Sequence, residues 1–522
     1  MMGTRIHLIA GGRVAISFLF PALVLFGNFT RVSRSKTINS MIDKLLNKIL
    51  LCVAKLIMVY DRYKFYFVEE SMDQSGALGQ KKISKLLWEF SLPAIIGMVV
   101  NALYNIVDSI FVGNGVGDIG LTAVTIAFPI MIILMAIGML IGIGASTLVS
   151  IRLGEQNKHE AEIILGNACS LMLVAVLSTT VAALIYLDQI LVLLGAEPHV
   201  LPYAREFTRI ILLGSIFMHI GFGLNNIIRA EGNPRMAMAT MLIASVLNIV
   251  LNPLFIFVFK LGIAGSALAT VAAQAVAAVW VLRYLISDEG VLKLRWSNLR
   301  LDKNIVFDIC KIGLSPFLMQ IAASAVTILS NYSLLSYGGE LAVAAYGVIN
   351  RVAMLILMPI FGISQGVQPI LGYNYGAKNY KRVIEVVKLG TYAATLVSVI
   401  GFAVTQLLSS QIIRLFNNNP ELIALGADGI ETSLIMLPLI GFQIIGASYF
   451  QATGKAGYAI FLSMSRQVII LIPALIILPR FFGLEGIWLT MPVSDVISSL
   501  FTGSFLWLEL RRVSPKLLGN NS

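Results

Sequence analysis

From Leu86 onward the chain is a succession of apolar stretches separated by short polar breaks. Each is long enough to cross the roughly 30 Å hydrocarbon core of a bilayer as a helix of about 20 residues. Apolar residues make up 57% of the 522 positions and charged residues 12%. Soluble domains carry about 25% charged residues, so a set of water-soluble domains is excluded. Backbone groups in lipid must find partners within their own segment, so the spans are predicted to be helices.

The apolar pattern predicts spans near 87–111, 121–150, 163–187, 205–229, 236–259 and 264–286. A second set is predicted near 308–336, 342–372, 384–409, 427–452, 456–479 and 485–509. The breaks alternate in charge. Lys81, Lys82, Lys85, Arg152, Lys158, Arg229, Arg235, the run from Arg283 to Lys311, Lys378 to Lys388, Lys455 and Arg511 to Lys516 fall on one side. Only Arg205, Arg209, Lys260, Arg414 and Arg480 fall on the other. The positive-inside rule then places both ends of the twelve-span core in the cytoplasm. Net charge is +11, but its basic residues flank spans, so a nucleic-acid partner is not expected. Cys52, Cys169 and Cys310 show neither metal-site spacing nor a disulfide framework.

Residues 1–71 differ from the rest and carry +6 of the net charge. Met72 opens a second, basic lead-in to the first span. The expectation is that 1–71 is an N-terminal extension, upstream sequence from an early start. The remainder divides into a six-helix lobe at 72–290, a cytoplasmic linker at 291–307 and a second six-helix lobe at 308–522.

The two halves repeat. Gly154-Glu155-Gln156-Asn157-Lys158 aligns with Gly376-Ala377-Lys378-Asn379-Tyr380 at an offset of 222. Arg229-Ala230-Glu231-Gly232 aligns with Gln451-Ala452-Thr453-Gly454 at the same offset, and Gly262 with Gly483 at 221. Six is even, so both halves insert the same way round. The predicted fold is all-α integral membrane, two six-helix bundles related by a pseudo-two-fold along the membrane normal, around a central cleft. Parallel repeats of this kind suit a transporter that rocks to open on alternate sides.

Charges within spans are costly and mark function. Asn101, Tyr104, Asn105 and Asp108 share one face of span 1 by i, i+3/i+4 spacing. Span 5 carries Asn248 and Asn252 just before Pro253, and span 6 carries Thr270 and Gln274. One carboxylate among neutral oxygens suits a proton or a Na⁺ ion. No other metal and no cofactor is expected. Phe128, Met131, Met354, Met358 and Gln365 are weaker candidates for lining an adaptable, greasy substrate cleft. Arg351 in span 8 and Arg466 in span 11 are read as buried cations, with Asp495 as the counter-ion of Arg466. His219 in span 4 is read as a helix-contact residue. Phosphate-loop, zinc-protease and nucleophile-elbow motifs are absent from the sequence, so neither ATP-driven transport by this chain alone nor a hydrolase is expected.

Leu92-Pro93-Ala94 followed by Tyr104-Asn105-Ile106-Val107-Asp108-Ser109-Ile110-Phe111-Val112-Gly113 resembles span 1 of the multidrug and toxic compound extrusion (MATE) transporters. The strings from Gln365 to Ala377 and at Ser465-Arg466-Gln467 resemble the DinF-like and MepA-like prokaryotic branch. The resemblance covers about 85–510. It implies a monomeric antiporter of the bacterial inner membrane, in which entry of H⁺ or Na⁺ drives extrusion of lipophilic, often cationic drugs. It also implies coupling roles for Asp108, Asn248 and Thr270. The family's span 5 string reads Asn-x-x-x-Asp-Pro, whereas here Asn252 stands at the acid's position. That removes one negative charge and leaves a lone Asp108, which suits a proton cycle. The alternative is a flippase of lipid-linked saccharides from the same superfamily.

Overall fold

The computed structural model describes residues 74–513, and the proposed extension at 1–71 lies outside them. Every regular element among the described residues is a helix. Six spans occupy Ile83–Val116, Asp118–Gly154, Lys158–Ile185, Leu201–Ala230, Pro234–Val258 and Gly262–Ile286. The helix Lys303–Gly376 is broken at Gly339 and so supplies spans 7 and 8. Span 9 is Tyr380–Leu407, and span 10 is the bent pair Pro420–Ser433 and Leu437–Ala452. The segment Ala456–Arg512, broken at Gly483, supplies spans 11 and 12. Twelve spans follow among the described residues, close to the bounds expected from the apolar pattern.

The repeat is written into the backbone as well. Left-handed residues recur in register: Gly117 with Gly339, Gln156 with Lys378, Gly232 with Gly454 and Gly262 with Gly483. Gln156 (φ 61°) and Lys378 (φ 56°) adopt this conformation although they carry side chains, at a cost of roughly 1–2 kcal/mol each. The reason is helix termination. Asn157 N–H bonds the Arg152 carbonyl at 2.9 Å, and Asn379 N–H bonds that of Asn374 at 2.9 Å. Asn233 to Ile228 (3.2 Å) and Lys455 to Phe450 (2.9 Å) repeat the pattern. A left-handed residue just past the helix lets the next amide reach back to an orphan carbonyl. The aligned strings are therefore four matching helix ends.

Packing groups the described residues into two units. One holds 74–77, 100–142 and 158–306; the other holds 78–99, 143–157 and 307–513. In the second unit, glycines bring backbones together. A Cβ on Gly144 would lie 2.1 Å from the Ile309 carbonyl oxygen, and one on Gly154 would lie 2.0 Å from that of Tyr373. On span 8, Gly362 and Gly366 abut the backbone of Ile95 and Ser91 in the same way. Small residues permit such approach where lipid offers no hydrophobic drive between helices. At the basic end, the Arg382 guanidinium donates to the carbonyls of Leu78 (3.0 Å) and Lys81 (2.7 Å), anchoring the short helix Gln74–Gln80.

The segment after span 6 is docked within the first unit. Leu292 N–H donates to Glu231 Oε2 at 2.9 Å, Ser170 Oγ donates to the Leu299 carbonyl at 2.6 Å, and Arg295 pairs with Glu162 at 3.1 Å. Asp302 N–H donates to Asn167 Oδ1 at 2.7 Å, while the Asp302 carboxylate accepts from the amides of Asn304 (2.8 Å) and Ile305 (3.2 Å). Glu231, just beyond span 4, is fully buried, and burial pushes its carboxyl up to about 7.

That shift has a definite sign. The folded chain holds the Glu231 proton more tightly than the unfolded chain, whose carboxyl titrates near 4.5. The linked stability is full below pH about 4.5 and is lost as pH rises through about 7, by about 3 kcal/mol at most. Glu231→Gln keeps an acceptor for Leu292 but cannot ionise. Thermal unfolding of the detergent-solubilised protein between pH 5 and 8 should therefore show a shallower fall for the variant. Parallel curves would remove Glu231 from the pH dependence.

Candidate cation-coupling site

Asp108 lies on span 1, eight residues before its end at Val116. Two glycines bring its partners within reach. A Cβ on Gly115 would lie 2.1 Å from Ile256 Cγ2, and one on Gly265 would lie 2.9 Å from the Phe255 carbonyl carbon. The end of span 5 therefore packs closely on span 1, and the start of span 6 on span 5. The T-shaped contact of Phe111 with Phe257, 6.3 Å between centroids, closes the same corner. Pro253 supplies no N–H to the helix ladder. The turn that follows, Leu254–Val258, widens to a π-helix.

Within this corner Asn252 Nδ2 donates to Asp108 Oδ1 in a short hydrogen bond, and Ser266 Oγ donates to the same oxygen at 3.1 Å. One turn earlier on span 5, Asn248 Nδ2 donates to Thr270 Oγ1 at 3.0 Å. The four residues singled out on spans 1, 5 and 6 thus form two adjoining pairs. Asn248 and Asn252 are buried, and the Oδ1 atom of each has no hydrogen-bond partner among the described residues. A half-turn of either amide exchanges donor for acceptor. The set accordingly offers one carboxylate and up to four neutral oxygens, from Asn248, Asn252, Ser266 and Thr270.

Ser266 is absent from the sequence-based set. Its signal is its position four residues before Thr270 and eight before Gln274, on the same helical face. The other candidates are spread more widely. Asn101, Tyr104, Asn105, Phe128, Met131 and Gln274 belong to the unit of Asp108, whereas Met354, Met358 and Gln365 belong to the other. On span 1, Asn105 Nδ2 donates to the Asn101 carbonyl at 2.8 Å. Phe128 and Met354 are more than half exposed, and Gln365 Nε2 reaches Met98 Sδ at 3.6 Å. His219 is buried in a π-turn of span 4, with Nδ1 at 2.8 Å from the Ser215 carbonyl.

In the second unit Arg466 Nε donates to Asp495 Oδ1 at 2.8 Å, and Asp495 is buried. The Arg466 carbonyl accepts from Ser494 Oγ. Arg351 departs from expectation. The sequence reading makes it a buried cation, but it is exposed on span 8. Apolar flanks place a residue in a span without saying which side of the helix faces an opening.

The MatE family model matches residues 93–254 and again 316–476. The chain belongs to the MatE family. Each match covers the first five spans of one half, at the offset of the internal repeat. Among curated relatives, the MatE chain is 28% identical over 451 residues to the multidrug export protein MepA of Staphylococcus haemolyticus, covering 86% of this chain and 96% of that one. MepA of Staphylococcus aureus strain MSSA476 is 28% identical over 436 residues, covering 83% and 95%. Among solved structures, the MATE multidrug transporter DinF-BH in complex with rhodamine 6G is 42% identical, with a TM-score of 0.78, covering 83% of this chain and 97% of that one. An outward-facing multidrug resistance MATE transporter of the MOP superfamily is 25% identical, with a TM-score of 0.80, covering 86% and 99%. The MatE chain is thus a multi-pass membrane transporter, not an enzyme, and it falls with MepA and DinF relatives.

Proposed function

We propose that this MatE protein is a proton-coupled antiporter that exports lipophilic, often cationic compounds across the bacterial inner membrane. It works as a monomer by alternating access, with both ends of its twelve-span core in the cytoplasm. The observation that supports this most is the setting of Asp108. Its carboxylate meets two neutral donors, Asn252 and Ser266, and no cation among the described residues. A buried carboxylate without a counter-ion is best discharged by protonation. A proton arriving on Oδ1 displaces the Asn252 N–H. A half-turn of that amide then presents its unpartnered Oδ1 to the new O–H. The protonated form is therefore as well paired as the ionised one, which a reversible carrier needs. Na⁺ would find oxygens here too, but only one full negative charge, because Asn252 supplies none.

The test uses the full chain in a host lacking its own efflux pumps. Ethidium retention should fall on expression. It should recover when the pH gradient alone is dissipated, and stay low when the Na⁺ gradient alone is dissipated. Unchanged retention on expression would overturn drug export. Recovery on Na⁺ collapse alone would overturn proton coupling.

A further inference from the structure

Span 8 presents one stripe with two different surroundings. At 3.6 residues per turn, Arg351, Leu355, Met358, Gly362 and Gly366 fall within about 40° of one direction. The inner part of this stripe is closed. Gly362 abuts Ile95, Gly366 abuts Ser91, and the neighbouring Gln365 reaches Met98, all three on span 1. The stripe thus runs along the side of span 8 that is turned to span 1. Its outer part is open: Leu355 is 55% exposed, Met354 beside it is 62% exposed, and Arg351 is exposed. Arg351 has no ion-pair or hydrogen-bond partner among the described residues.

Arg351 lies 12 residues beyond the break at Gly339, about 18 Å along the helix. A guanidinium facing lipid inside a span costs roughly 2.5–3.5 kcal/mol or more. The continuation of its stripe onto span 1 supplies the other environment, an opening on the protein side. There Arg351 is a fixed cation above a surface of Leu355, Met354 and Met358. A single acidic group on an apolar body complements that arrangement. A guanidinium pairs a carboxylate or phosphate through two parallel N–H donors, and the methionines adapt to the apolar part.

We propose that Arg351 is a specificity-determining residue that recognises a single acidic group on an otherwise apolar, often zwitterionic substrate of this transporter. The proposal rests on the drug-export reading and adds a chemical class to it. Such a subsite favours zwitterions and disfavours cations that carry no acid.

The test compares two dyes that differ in one group: rhodamine 6G, an ethyl ester, and rhodamine 19, the corresponding free acid. Their dissociation constants are read by fluorescence anisotropy on the full-length protein in phosphatidylcholine nanodiscs. Arg351→Gln should lower the preference for rhodamine 19 over rhodamine 6G about tenfold, Arg351→Lys should retain at least a third of it, and Arg351→Glu should reverse it. An unchanged preference in Arg351→Gln and Arg351→Glu, with rhodamine 6G still bound, would overturn this proposal alone. A wild-type protein that binds neither dye would overturn the export reading along with it. Adding phosphatidylglycerol separates the two sources of an acidic group. Displacement of rhodamine 19 that depends on Arg351 marks a lipid headgroup as an occupant of the same subsite. Retention marks it as selective for soluble amphiphiles.

Discussion

Asp108→Asn is expected to abolish gradient-driven export, leaving ethidium retention within about 10% of the empty-vector level. The amide has the shape of the carboxyl and keeps a carbonyl oxygen for the Ser266 hydroxyl, so the corner of spans 1, 5 and 6 still packs. What it lacks is a group that gains and loses a proton. The variant should therefore fold, reach the membrane in normal amount and bind rhodamine 6G. It should fail to release protons when drug is added to the purified protein. Loss of the proton signal with drug binding intact is the combination that a merely misfolded protein does not give. Export that survives the substitution would remove Asp108 from coupling and transfer the question to the second unit, where Asp495 is the buried acid.

The second large effect concerns packing. Gly154→Ala adds a methyl group 2.0 Å from the Tyr373 carbonyl oxygen and 2.8 Å from its carbon. A side chain can swing away from such an intrusion, but a helical carbonyl cannot. Overpacking a tight contact typically costs about 1–3 kcal/mol, occasionally more. The cost falls on the seam that holds 143–157 against span 8, where Gln156 Nε2 also donates to the Tyr373 hydroxyl at 3.1 Å. The expected result is a melting temperature lower by several degrees and transport reduced at least tenfold. Gly457→Ala is the matched control, because a Cβ there meets nothing within 4 Å. In a helix interior it should be neutral or stabilising by up to about 1 kcal/mol. Equal behaviour of the two variants would show that the close approach at Gly154 carries no weight.

The spans and their repeat were legible in the sequence because both are one-dimensional. Hydropathy needs only a run of residues, and a repeat needs only an offset. The Gly232 and Gly454 helix ends could be found this way because a left-handed residue at a helix end leaves a glycine in the string. Gln156 and Lys378 adopt the same conformation without that mark. Hydropathy cannot reveal which neighbour a span packs against. Nothing in the string assigns 78–99 to a different unit from 100–116, since one continuous helix carries both. Asp108, Asn248, Asn252 and Thr270 stand out because polar residues are rare inside spans. Ser266 does not, because a serine among the small residues of span 6 looks like ordinary helix-packing material. Arg351 is conspicuous for its charge, but its surroundings are not legible, because exposure depends on which side of span 8 meets span 1.

Asp302 holds two positions at once. Its amide is fixed to Asn167 beside span 3, and its carboxylate caps the first turn of span 7. The connection between the halves of the chain therefore has almost no slack at this point. A long unstructured tether would let each half move without informing the other. Here, any swing of span 7 acts through a single residue clamped on both sides, so the joint behaves as a pivot. Lever arms as long as a membrane span magnify small rotations about such a point, and the docked segment before it is what keeps the point still.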